Sequence, residues 1–70
     1  MNTAWKLRII MKERGMTLTE LAKRLGISLS TLSDKFRRDN FNERDLRKIA
    51  DVLNCDVEIV FSFRDSDSKI

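Results

Sequence analysis

Histidine is missing from this 70-residue chain. It is the commonest side chain for proton transfer near neutral pH and the commonest metal ligand. With a single cysteine, Cys55, its absence removes zinc sites of the usual kind. It also removes the serine and cysteine nucleophiles that need a histidine base. A lone cysteine excludes an internal disulfide, the staple that a secreted domain of this size usually needs. The only glycines are Gly15 and Gly26, so there is no glycine-rich phosphate loop. No apolar run approaches the roughly 20 residues of a membrane span. Lys6 and Arg8 interrupt any apolar stretch of signal-peptide type. The few aromatic residues form no base-stacking platform for RNA. Carboxylates are plentiful but lie among helix-face charges. These absences argue against an enzyme, against a metal or other cofactor, and against a membrane location. They favour the cytoplasm.

What is present fits one small domain. A chain this short buries only about 60% of the surface its unfolded form exposes, so the core is small and the stability modest. The formal net charge of +3 favours an anionic partner only weakly. Placement of the charges is more informative. Ala4, Leu7, Ile10 and Met11 fall on one helical stripe. Asn2 or Thr3 can cap its start, and Gly15 suits its end. Thr17-Leu-Thr-Glu20 has the form of a capping box and predicts a helix from Leu18 to Leu25 with Leu18, Leu21, Ala22 and Leu25 facing inward. Gly26 permits a sharp turn. Ser28 can cap a third helix to about Arg38, with Leu32 and Phe36 inside. Asp39-Asn40 reads as a turn. Asn42 caps a fourth helix, with Glu43 and Asp45 at its positive end and Leu46, Ile49, Ala50 and Leu53 as its stripe. Asn54 suits a left-handed C-terminal cap. The period then changes. Val57, Ile59, Phe61 and Phe63 alternate with Glu58, Val60 and Ser62, a strand pattern. The reading is therefore a mainly α domain over residues 1–64 with four or five helices, a strand at 56–64, and a disordered polar tail at 65–70.

Two short helices joined through a glycine turn suit a helix-turn-helix. Ala22 is small where the helices cross, and Ile27 and Leu32 lock the second helix against the first. The run Leu21-Ala22-Lys23-Arg24-Leu25-Gly26-Ile27-Ser28 resembles the Cro and phage-repressor type (Xre-like) helix-turn-helix proteins. Leu7, Ile10 and Gly15 before it, and Leu46, Ile49, Ala50 and Leu53 after it, extend the resemblance over residues 4–55. The resemblance implies a bacterial or phage transcription regulator, a dimeric repressor whose third helix enters the major groove and reads paired half-sites. It implies double-stranded DNA as partner, with no cofactor and no small-molecule effector. Phage repressors often carry leucine where Lys35 stands; here Phe36 supplies the apolar contact one place later, which shifts the aim of the helix by a fraction of a turn. The β-like tail is a second departure.

The family positions that meet base edges correspond to Ser28, Leu29, Ser30, Ser33, Asp34 and Arg37. Asp34 either accepts from a cytosine amino group or pairs with Arg37 or Arg38. Leu29 is either core edge or a contact to a thymine methyl. Lys35, Arg38, Asn42 and Arg44 surround the loop into the fourth helix, and Thr17 and Thr19 begin the second. These six are the expected phosphate contacts. Lys6, Arg8 and Lys12 read as surface charge, as do Lys23 and Arg24. A lone strand is marginal, so Val57, Ile59, Val60, Phe61 and Phe63 would pair with their own copies about a two-fold axis. Trp5 and Ile9, opposite the main stripe of the first helix, also need cover. The strand face can supply it, or Trp5 can widen the core of the single chain. The rival function is an antitoxin-like or adaptor dimer whose basic face meets an acidic protein.

Overall fold

The computed structural model describes residues 2–70. Its helices are α1 (Thr3–Glu13), α2 (Leu18–Leu25), α3 (Leu29–Arg38) and α4 (Glu43–Val52). Three of them start as the sequence predicts. Thr17, Ser28 and Asn42 are extended, and each side chain accepts from the backbone amide three residues on. The box at α2 is only half built, because the Glu20 carboxylate takes the Arg24 guanidinium at 3.2 Å instead of returning to Thr17. The reciprocal box forms at α4, where Asp45 Oδ2 accepts the Asn42 amide at 3.1 Å.

The start of α1 departs from expectation. Asn2 precedes it without a side-chain cap bond. The Ala4 amide instead donates to Asp39 Oδ1 at 2.9 Å. A residue at the end of α3 thus supplies the cap, and a local reading of α1 could not find it.

All four helices end in the same manner. The amide of a left-handed residue reaches back three residues, and the next amide reaches back five. The pairs are Gly15 and Met16, Gly26 and Ile27, Asp39 and Asn40, Asn54 and Cys55. This geometry satisfies terminal carbonyls that would otherwise be orphaned. The Asp39-Asn40 turn is therefore a C-terminal cap, with Asp39 at φ 52°.

Leu7, Met11, Leu21, Ala22, Leu32, Phe36, Ile49 and Leu53 form the core cluster. Leu21, Leu32, Ile49 and Leu53 are fully buried, and full burial of such a side chain stabilises by about 1.5–3 kcal/mol. Met16, Phe41 and Cys55, outside the predicted stripes, pack against this cluster. Phe41 meets Phe36 edge to face with centroids 5.1 Å apart. Ile27 is more exposed than a locking residue should be and sits at the rim of a shallow crevice with Leu25, Leu32 and Ile49. α2 packs against both α3 and α4. Arg14 fastens α1 to the end of α4, donating from Nε to the Leu53 carbonyl at 3.0 Å.

Beyond Asp56 the chain leaves the core. No strand forms among the described residues; Ser62 and Lys69 make one antiparallel bridge. Phe61 and Ile70 exchange backbone bonds of 2.7 and 2.9 Å, and the Phe63 amide donates to Ser68 at 3.1 Å. The segment at 56–64 is thus not a laddered strand, and residues 65–70 turn back along it. A single strand lacks the partner a ladder needs. The radius of gyration, 13.7 Å, exceeds the about 11 Å typical of 70 compact residues. Trp5 and Ile9 find no cover within one chain, from the tail or from the core: they remain 64% and 44% exposed, so Trp5 does not widen the core. No helix among the described residues is long and apolar enough to cross a membrane.

Candidate nucleic-acid interface

α3 is held by one face and free on the other. Leu32 and Phe36 are buried, while Leu29, Ser30, Thr31, Arg37 and Arg38 are exposed. Leu29 is 43% exposed, which sets it on the outer surface. Ser33 and Asp34 are half-buried beside it. Ser28 caps the helix by accepting from the Thr31 amide at 3.1 Å, and its hydroxyl donates to Thr31 Oγ1 at 2.7 Å. These bonds fix the first turn, so Leu29 and Ser30 project from a rigid start.

Toward the other end of α3, charges gather. Asp34 Oδ1 accepts from Arg37 Nη2 and from Arg38 Nε, the latter at 3.2 Å. Partial loss of water pushes the Asp34 carboxyl up, but the two guanidiniums outweigh this and hold it below the usual 3.8. Lys35 Nζ lies 3.0 Å from Asp45 Oδ2, joining α3 to α4. Partial burial pushes the Asp45 carboxyl up as well. Bonds from Lys35 and the Asn42 amide, with the charges of Lys35 and Lys48, bring it below 3.8. Arg44 is exposed on the first turn of α4.

Thr17 and Asn42 both spend their side-chain oxygens on caps, and Thr19 is exposed on the first turn of α2. Ser28, Leu29, Ser30, Ser33, Asp34 and Arg37 therefore share one helix and its cap. Thr17 and Thr19 stand at the start of α2, and Lys35, Arg38, Asn42 and Arg44 line the passage from α3 to α4. The tail residues stand apart: Val57 is half-buried, and Ile59, Val60, Phe61 and Phe63 are exposed.

Three further residues join this region. Arg8 lays its guanidinium 5.1 Å from the centroid of the Phe36 ring. Asp39 ties the end of α3 to α1. Asp45 braces Lys35. Only Asp45 carries a local sequence signal, its position three residues after the Asn42 cap. The other two act between segments distant in sequence.

A family model described as the Cro/C1-type HTH DNA-binding domain matches residues 6–65. No curated protein and no solved structure matches the chain.

Proposed function

Since this chain belongs to the Cro/C1-type helix-turn-helix DNA-binding family, we propose that it is a transcriptional repressor that binds duplex DNA as a homodimer and reads the major groove with α3. The observation that carries this reading is the asymmetry of α3, whose apolar side is locked by Leu32 and Phe36 while its polar side faces outward. A recognition helix needs that combination, since base edges demand a rigid helix bearing short polar side chains.

In this reading Ser28, Leu29, Ser30, Ser33, Asp34 and Arg37 face the bases. Leu29 meets a thymine methyl, and Arg37 suits guanine, whose O6 and N7 accept two bonds from one guanidinium. Thr17, Thr19, Lys35, Arg38, Asn42 and Arg44 take the phosphates on either side, and the amides at the start of α4 add a positive helix end. The exposure of Ile59, Val60, Phe61 and Phe63 supports pairing of the tail with a second copy.

Selection of bound duplexes from a random pool tests the function. A palindromic consensus is the expected result. Recovery of no enriched sequence at low salt would reject the DNA reading and leave the adaptor dimer as the better account.

A further inference from the structure

The C-terminal turn of α3 carries three cations, Lys35, Arg37 and Arg38. All three are engaged within the chain. Lys35 is held by Asp45, and both arginines converge on one oxygen of Asp34. Asp34 stands on the face assigned to the bases, where a carboxylate also repels phosphate. Its two partners divide between the two kinds of DNA contact: Arg37 belongs to the reading face and Arg38 to the phosphate side.

The bond is reversible. Exposed pairs at this helical spacing stabilise weakly, and a phosphate accepts charge-assisted bonds from the same guanidiniums. A guanidinium has five N–H groups in a fixed fork. Arg37 reaches Asp34 through Nη2 and keeps other donors for a base edge. Arg38 is joined through Nε, which likewise leaves its terminal nitrogens. The carboxylate therefore limits where each guanidinium points without consuming it.

Resting on the DNA reading above, we propose that Asp34 sets sequence discrimination as a positioning residue, by holding Arg37 and Arg38 away from indiscriminate phosphate contact, and not by reading a base itself. Any duplex offers phosphates, but only the right site offers a base edge to Arg37 in its held orientation. Loss of Asp34 frees both arginines for phosphate everywhere, so binding to unrelated DNA strengthens more than binding to the selected site.

The test measures binding of the full chain to its selected duplex and to a random-sequence duplex across a salt series, for wild type, Asp34→Ala, Asp34→Asn, Arg37→Ala/Arg38→Ala and the triple variant. Asp34→Ala is expected to bind the random duplex about threefold tighter, with a salt slope steeper by about 0.9 for each additional phosphate neutralised. The ratio of selected to random affinity falls, and Asp34→Asn moves the same way. In the Arg37→Ala/Arg38→Ala background, adding Asp34→Ala tightens random-duplex binding much less than in the wild-type background, leaving only the direct repulsion of the carboxylate, as a cycle demands if the residues act together. The same tightening in that background would show plain repulsion between carboxylate and DNA, and would overturn the proposal. So would Asp34→Asn behaving as wild type, or a single-base change in the consensus with random-duplex binding unaltered. Wild-type protein that binds neither duplex at low salt would instead reject the DNA reading itself.

Discussion

Gly26 sits at φ +71°, and a Cβ built there would meet no atom within 4 Å. Space is therefore not the constraint; backbone conformation is. A non-glycine residue in the left-handed region costs roughly 1–2 kcal/mol, so Gly26→Ala should destabilise by about 1 kcal/mol in urea titration with an unchanged slope. A loss near zero would show that the turn readily adopts another conformation. Asp39 stands in the same conformation and has a second task there, since its carboxylate accepts the Ala4 amide. Asp39→Gly removes the cap while relieving the backbone. The relief of the backbone, about 1 kcal/mol, offsets the loss of the cap, also about 1 kcal/mol, so the variant should be close to neutral. If Asp39→Gly stabilised by the full backbone relief, the cap across α1 and α3 would contribute nothing. The two positions mark what single residues disclose. Glycine or asparagine after a periodic segment announces a left-handed end, so Gly15, Gly26 and Asn54 were legible. The remote cap of Asp39 was not, because 35 residues separate donor and acceptor.

At the scale of elements, caps and apolar stripes act locally and were readable from neighbouring residues. The three capped starts at Thr17, Ser28 and Asn42 follow from this, as does the burial of Leu21, Ala22, Leu32, Phe36, Ile49 and Leu53. Contacts between elements were not legible. Phe41 interrupts no stripe because it belongs to no helix, yet it packs edge-on against Phe36. Lys35 stands where the family often has leucine, and its pairing with Asp45 depends on how α3 meets α4. That pairing has a pH consequence. The folded Asp45 carboxyl lies below its ordinary 3.8. Its stabilisation is therefore complete above the unfolded value and is lost as pH falls through the lower folded one. Asp45→Asn should cost about 1 kcal/mol at pH 7, and the gap to wild type should shrink below about pH 4. Thermal melts from about pH 2.5 to 7 span this window and measure it. A gap independent of pH would assign the loss to packing.

For the whole molecule, the unfinished part is the tail. Phe61 and Phe63 donate their amides to Ile70 and Ser68, so one edge of this segment is occupied by its own chain. In an antiparallel ladder successive amides point to opposite edges, which directs those of Val60 and Ser62 to the other side. That edge is the one available to a second copy. Proline at Val60 deletes an amide from it, whereas proline at Phe61 breaks the turn back to Ile70. The helices should survive both changes, because their caps and core residues precede Asp56. Helical circular dichroism is thus expected to persist in Val60→Pro while the dimer dissociates. Affinity for a duplex with two half-sites should fall much further than affinity for one, since the second contact is no longer linked to the first. Phe61→Pro should disturb pairing less directly, and Ile59→Pro, whose amide shares the edge of Phe61, serves as a control outside the bridge. Sedimentation of the wild type and these variants decides the matter. A wild type that sediments as a monomer would reject the dimer, whereas variants that all remain dimeric with unchanged affinity would remove the tail from the interface and move it to the exposed Trp5 and Ile9 of α1.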